Sequence, residues 1–344
     1  MKAAVLTALN KMEILDVEQP KIQKDTEVLL KIERVGVCGS DVHYYETGRV
    51  GSQVVEYPYM IGHECSATVQ AVGNDVTRVK VGDEVAVDPA VSCYNCVQCK
   101  MGRENTCENL SFLGTPGQGD GCLCEYIVMP QECCYPTNGR INLDQAVFCE
   151  PLSIAAYSVK QAKLPENSNV AIFGAGPIGL STFVSAKAEN INSCYMTEKI
   201  KERIGMAEKA GATWVGNPDK QDIVKEILER QPKGVDVAFE CAGQQETIDE
   251  AVEVLRPGGK LILTGIPRFE RISLAIDKIR RKEITIINIR RQNQCTQRAL
   301  DLIASGKVSV DFMITHHFSL DRAREAFDLV AGYRDGVIKA VIDL

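Results

Sequence analysis

The stretch Val170-Ala171-Ile172-Phe173-Gly174-Ala175-Gly176-Pro177-Ile178-Gly179-Leu180 decides the fold. Four consecutive apolar residues read as a strand buried on both faces, and the run from Leu180 to Ala188 reads as a helix. Between them stands a G-x-G-x-x-G turn made by Gly174, Gly176 and Gly179. Glycines permit the tight turn and let the backbone approach a pyrophosphate, which sits on the N-terminus of the following helix. Pro177 and Ile178 lie inside that turn. Glu198 falls nineteen residues beyond Gly179, at the end of the next strand-like run. A carboxylate there accepts hydrogen bonds from a ribose 2′-hydroxyl and repels a 2′-phosphate, which favours NAD over NADP. Lys199 and Arg203 stand close enough to soften that preference.

Working outward, strand and helix patterns alternate over residues 155–287: Asn169 to Phe173, a helix from Pro177, Ser193 to Thr197, Lys201 to Ala210, Val235 to Glu240, Glu246 to Leu255, and Lys260 to Thr264. Such alternation implies an α/β, doubly wound parallel sheet. Residues 1–154 read differently, as short β-rich runs between Gly, Asp and Asn turns, with a hairpin at Asn10-Lys11. Residues 288–344 hold two amphipathic helices, near Gln297 to Ser305 and Leu320 to Val330, and a strand from Val337 to Ile342. They do not continue the alternation and are expected to return to the first, β-rich domain.

The chain has 344 residues, enough for two domains with sizeable cores. Its net charge of −7 provides no positive field for a phosphate backbone, so nucleic acid is not an expected partner. No stretch of 18 apolar residues occurs, so no membrane span is expected, and the N-terminus lacks a signal-peptide pattern. A cytoplasmic protein is the expectation, and there grouped cysteines more often bind metal than pair with one another.

Cysteines number fourteen against four histidines, and their grouping is informative. Cys93-x2-Cys96-x2-Cys99-x7-Cys107 puts four sulfurs within fifteen residues. Four thiolates fill the tetrahedral sphere of zinc and leave no place for a substrate, so a zinc ion here is structural. A second group is dispersed: Cys38, His63 with Glu64, and Glu150. One thiolate, one imidazole and one carboxylate make a three-donor zinc site whose fourth position is open, which is the arrangement of a catalytic site.

These residues together resemble the zinc-containing medium-chain dehydrogenases, and within them the sorbitol (L-iditol), xylitol and related polyol dehydrogenases. The resemblance covers essentially the whole chain. It rests on Gly36-Val37-Cys38-Gly39-Ser40-Asp41-Val42-His43-Tyr44-Tyr45, Gly62-His63-Glu64, the four-cysteine lobe, Glu150-Pro151-Leu152-Ser153 and the glycine turn. Ala67 stands where the zinc signature of the family commonly has glycine. The resemblance implies a GroES-like catalytic domain formed by both chain ends around an inserted Rossmann domain, and a homodimer or homotetramer.

Carried over by motif, Cys38 and His63 would ligate a catalytic zinc, with either Glu64 or Glu150 as third ligand, and Asp41 would orient His63. Ser40 would begin a proton relay that runs through the cofactor ribose to His43. Zinc would lower the pKa of a bound alcohol, and hydride would pass to the nicotinamide. Ile266 joins Gly174, Gly176, Pro177, Ile178, Gly179, Glu198 and Arg203 among the implied cofactor contacts. Tyr44, Phe112, Thr115 and Arg291 match positions lining the substrate pocket. Where many relatives carry an aromatic-Arg-Tyr run, this chain reads Arg290-Arg291-Gln292-Asn293. The resemblance implies a small polyol, oxidised at a secondary hydroxyl, as the substrate. The alternatives are a ring polyol, a sugar acid, a phosphorylated polyol, a simple secondary alcohol or L-threonine.

Overall fold

A computed structural model describes residues 1–267 and 269–344. The chain divides into two compact units. One comprises residues 1–150, 296–306 and 310–344, and the other residues 151–295 and 307–309.

The first unit is built on a largely antiparallel sheet of seven strands. Its central strand, Glu27–Gly36, alternates by face: Val28, Leu30 and Ile32 are fully buried while Lys31 and Glu33 stay partly exposed. Burying each such side chain contributes about 1.5–3 kcal/mol, so the period of two fixes which face meets the core. Glu64–Val72 flanks this strand on one side, with Glu64 opposite Gly36. The other side is shared by Tyr126–Pro130, along Glu27 to Lys31, and Lys339–Asp343, along Arg34 to Gly36. Ile314–Ser319 then pairs with Lys339–Asp343 in parallel. The hairpin expected at Asn10-Lys11 joins Lys2–Ala8 to Lys11–Asp16.

The second unit holds a six-stranded parallel sheet in the order Trp214–Gly216, Ser193–Thr197, Asn169–Phe173, Val235–Glu240, Leu255–Leu263, Thr285–Asn288. Val170 to Phe173 are all buried, as a strand covered on both faces requires. The two edge strands are only three and four residues long and carry too little periodicity to be read in advance.

The unit boundaries differ from the expected 154/155 and 287/288. Helix Cys149–Ala162 enters the second unit earlier, because Lys260 Nζ donates to the Ala162 carbonyl at 2.6 Å and Thr264 Oγ1 to Ser158 Oγ at 3.2 Å. The second unit also runs on to Cys295, since Thr285–Asn288 pairs with Leu255–Leu263 and the Ile289 N–H continues that ladder to Leu263. Among the described residues no helix is long and apolar enough to cross a membrane.

Candidate active site

In the first unit, Cys38 is the N-cap of helix Gly39–Thr47, which directly follows the central strand. Glu64 opens the neighbouring strand and His63 immediately precedes it, so the pairing of Glu64 with Gly36 brings both close to Cys38. One donor atom from each of Cys38, His63 and Glu64 lies within 4.8 Å of the others. Tetrahedral zinc with bonds of about 2.0–2.3 Å needs donors roughly 3.3–3.8 Å apart, so small adjustments suffice. The set leaves one coordination position for a small molecule.

Asp41, fully buried on the same helix, accepts from His63 Nδ1 at 3.2 Å and from the Gly62 N–H at 3.3 Å. That contact leaves Nε2 for a metal. Burial pulls the pKa of His63 down, but Asp41 and Cys38 outweigh it and hold His63 well above the ordinary imidazole value. The surroundings of His63 are thus electrostatically negative. Ser40 Oγ is 3.3 Å from Cys38 Sγ, and the Phe112 ring lies against the His63 imidazole with centroids 5.4 Å apart.

Sequence reasoning missed Lys339. Its ammonium, buried with Glu64, donates to the two Glu64 carboxylate oxygens at 2.8 and 2.6 Å and to the Val37 carbonyl at 3.2 Å. Burial lowers the pKa of Lys339, yet the charges of Glu64 and Cys38 overcome this and raise it. Glu150, at the start of helix Cys149–Ala162, is buried and senses His63, Glu64, Lys339 and Asp88 electrostatically. Desolvation pushes its carboxyl up to about 8. Glu150 is not in the three-donor set, whereas Glu64 is.

Of the expected substrate residues, Tyr44, Phe112 and Thr115 are buried in this unit, with Tyr44 Oη donating to Gln53 at 3.0 Å. His43 is half-buried, and its carbonyl accepts from Thr47 Oγ1. Arg291 belongs to the second unit, where its φ is +54°.

The four-cysteine loop closes as its spacing implies. Cys107 Sγ is 3.4 Å from Cys93 Sγ and 3.9 Å from Cys96 Sγ, close to the edge of about 3.8 Å of a tetrahedron of zinc–sulfur bonds. The backbone N–H groups of Asn95 and Cys96 bring the Cys93 thiol down to about 6, as suits a thiolate ligand. Burial pushes the Cys99 thiol up to about 12. Among the described residues no disulfide joins any two cysteines.

In the second unit, Gly174 turns with φ +98°, Gly176 caps helix Pro177–Lys187, and Pro177 takes its first position, where no N–H is needed. A side chain on Gly179 would run into the Gly174 carbonyl, so this turn accepts only hydrogen there. Glu198 Oε2 accepts from the Ala175 N–H at 2.9 Å, and Oε1 from the Lys199 and Ile200 N–H groups at 2.9 and 3.1 Å. The carboxylate is therefore fixed beside the glycine turn. Arg203 is buried with its guanidinium 3.4 Å from where a Gly176 Cβ would stand, while Lys199 pairs with Asp219. Ile266 is 60% exposed, just beyond strand Leu255–Leu263.

Residues 24–139 match the alcohol dehydrogenase GroES-like domain and residues 177–305 the zinc-binding dehydrogenase domain. A sorbitol dehydrogenase of Bacillus subtilis is 37% identical over 99% of this chain and 97% of its own. A D-xylulose reductase A of Aspergillus oryzae is 36% identical over 94% and 91%. An alcohol dehydrogenase of Escherichia coli CFT073, solved in complex with NADH, superposes with a TM-score of 0.92 at 29% identity, covering 100% and 99%. With two zinc-type donor sets and a dinucleotide turn in place, the chain belongs to the zinc-binding medium-chain alcohol dehydrogenase family. It is an oxidoreductase that uses zinc and a nicotinamide cofactor.

Proposed function

We propose that this enzyme oxidises a secondary hydroxyl of a small polyol to a ketone, with NAD as hydride acceptor. The observation that carries the reading is the Cys38, His63, Glu64 set with its open fourth position, in a chain similar over its full length to a sorbitol dehydrogenase. Cys38, His63 and Glu64 would hold the catalytic zinc, and Cys93, Cys96, Cys99 and Cys107 the structural one. Gly174, Gly176, Pro177, Ile178, Gly179, Glu198, Arg203 and Ile266 would hold NAD. When bound, zinc supplies a Lewis acid to the substrate oxygen and NAD takes the hydride.

The remaining steps belong to side chains. Asp41 fixes the tautomer of His63, so that Nε2 is free to ligate. Ser40 Oγ takes the hydroxyl proton and passes it toward His43. Glu150 holds the substrate hydroxyl or a water in place near the three-donor set. Phe112, Tyr44 and Thr115 would cover one face of the carbon chain. The domain assignment we favour is a catalytic domain from both chain ends and a nucleotide-binding insert. A cytoplasmic homodimer or homotetramer completes the reading, supported by the family likeness and by cysteines grouped for metal.

The test is NADH formation on a panel of hexitols, pentitols, inositols, sugar acids, phosphorylated polyols, simple secondary alcohols and threonine, with NADP as comparison. Turnover is expected on open-chain polyols, and Cys38→Ser should abolish it, by about 10²-fold or more, while NAD binding persists. Absence of turnover on every secondary alcohol by the zinc-loaded protein would refute the proposal.

A further inference from the structure

We propose that Glu240 is a positioning residue for the nicotinamide half of the dinucleotide. The inference rests on the NAD reading above. In the second unit, strand Asn169–Phe173 lies between Ser193–Thr197 and Val235–Glu240, so the chain winds outward in both directions from this pair. Ligands of such sheets bind at the carboxyl ends of the strands, at that reversal. Glu198, beyond the Ser193–Thr197 side, marks the adenosine half. The other half then belongs over the carboxyl ends of Val235–Glu240 and Leu255–Leu263.

Glu240 ends the first of these strands, and it is 1% exposed. Its Oε1 accepts from the Ala242 N–H at 2.8 Å, the Gly243 N–H at 2.7 Å and Thr247 Oγ1 at 2.8 Å. Its backbone carbonyl accepts from the Thr264 and Gly265 N–H groups, both at 2.9 Å. One residue thus ties the loop after Val235–Glu240 to the loop after Leu255–Leu263. A Cβ on Gly265 would stand 2.5 Å from the Gly243 nitrogen and 2.7 Å from Glu240 Oε2, so the two loops meet backbone to backbone. The same loop reaches the glycine turn: Ala242 Cβ lies 3.3 Å from where a Gly174 Cβ would stand.

Burying a carboxylate is costly unless several donors meet it. Here the donors are loop N–H groups at the crevice, so the carboxylate's effect is to fix the loop backbone. An apolar side chain of similar size would fill the space but leave the Ala242 and Gly243 N–H groups unsatisfied. The segment from Cys241 to Thr247 would then be free to shift at this end of the crevice, while the Glu240 backbone carbonyl still holds Thr264 and Gly265.

The experiment compares binding of NAD, NADH and ADP-ribose, the last lacking nicotinamide, by calorimetry and NADH fluorescence. Zinc content and melting temperature are measured alongside. In Glu240→Ala, affinity for NAD and NADH is expected to fall by about tenfold or more while ADP-ribose changes by less than about twofold. The KM for NAD should rise more than kcat falls. Glu240→Gln keeps an acceptor oxygen and should restore most of the affinity. Gly265→Ala wedges the loops apart and should show the same selective loss, which keeps the test open if Glu240→Ala does not fold. Equal weakening of ADP-ribose and NAD, unchanged NAD affinity in Gly265→Ala, or failure of Glu240→Gln to restore binding would each overturn the proposal. Wild-type protein that binds none of the three would instead refute the NAD reading itself.

Discussion

The side chains of Glu64 and Lys339 are 2% and 3% exposed and 2.6 Å apart, so neither charge reaches water. Removing one partner of such a pair leaves the other buried alone, at about 3–5 kcal/mol. In Lys339→Met the stranded group is the carboxylate that sits within reach of the proposed zinc, and the metal supplies a substitute positive charge. The variant should therefore be destabilised by that amount when zinc-free and by clearly less when zinc-loaded, as read from denaturant unfolding of both forms. An equal loss in the two forms would show that Glu64 does not face the metal. The four clustered cysteines stood out in the sequence by their spacing, and Cys38 and His63 only by occurring together with Glu64 and the glycine turn; the structure gathers the donor atoms of each set. Lys339 did not stand out, because its partner is 275 residues away and a lysine opening an apolar strand reads as pointing outward.

Among the elements, the cysteine loop depends most on its ligand. Its helix, Val97–Lys100, is a single turn, too short to persist by itself, and its Val97 and Met101 side chains are 61% and 66% exposed. Little apolar burial is available, so the four sulfurs and their ion must organise the loop. Cys99→Ser should release one equivalent of zinc and lower stability on the order of 3 kcal/mol, seen by metal analysis and thermal melting. Folded molecules that retain the other zinc should turn over normally. Selective loss of turnover in a fully stable protein would contradict a structural role. The long elements of the second unit were readable from periodicity, and Asn169–Phe173 and Val235–Glu240 fall where expected. Trp214–Gly216 and Thr285–Asn288 were not, since edge strands of three or four residues show almost no alternation.

At the scale of the molecule, the two proposed zinc sites differ in access. The three-donor set has an open position through which a chelator can attack, whereas four sulfurs enclose their ion. Stepwise chelation should first remove one zinc per chain and abolish activity with the melting curve nearly unchanged. The second zinc should leave only together with structure. Simultaneous loss of both ions would count against the distinction. The broad division was legible because alternation of strands and helices begins and ends abruptly. The boundary residues were not, because helix Cys149–Ala162 crosses from one unit into the other without a break.

The sequence separation of 275 residues from Glu64 to Lys339 also sets a clock. At a synthesis rate of about 5–20 residues per second, roughly 15–55 s pass between translation of the carboxylate and translation of its ammonium partner. Through that interval the Arg34 to Gly36 edge of the central strand lacks Lys339–Asp343, and the second unit is made in between. The nascent first unit must wait, with an open sheet edge and an unneutralised acid, while the second can fold ahead of it. Maturation of the catalytic pocket is then a late event in the life of the chain, and an early supply of metal ions would find it unfinished.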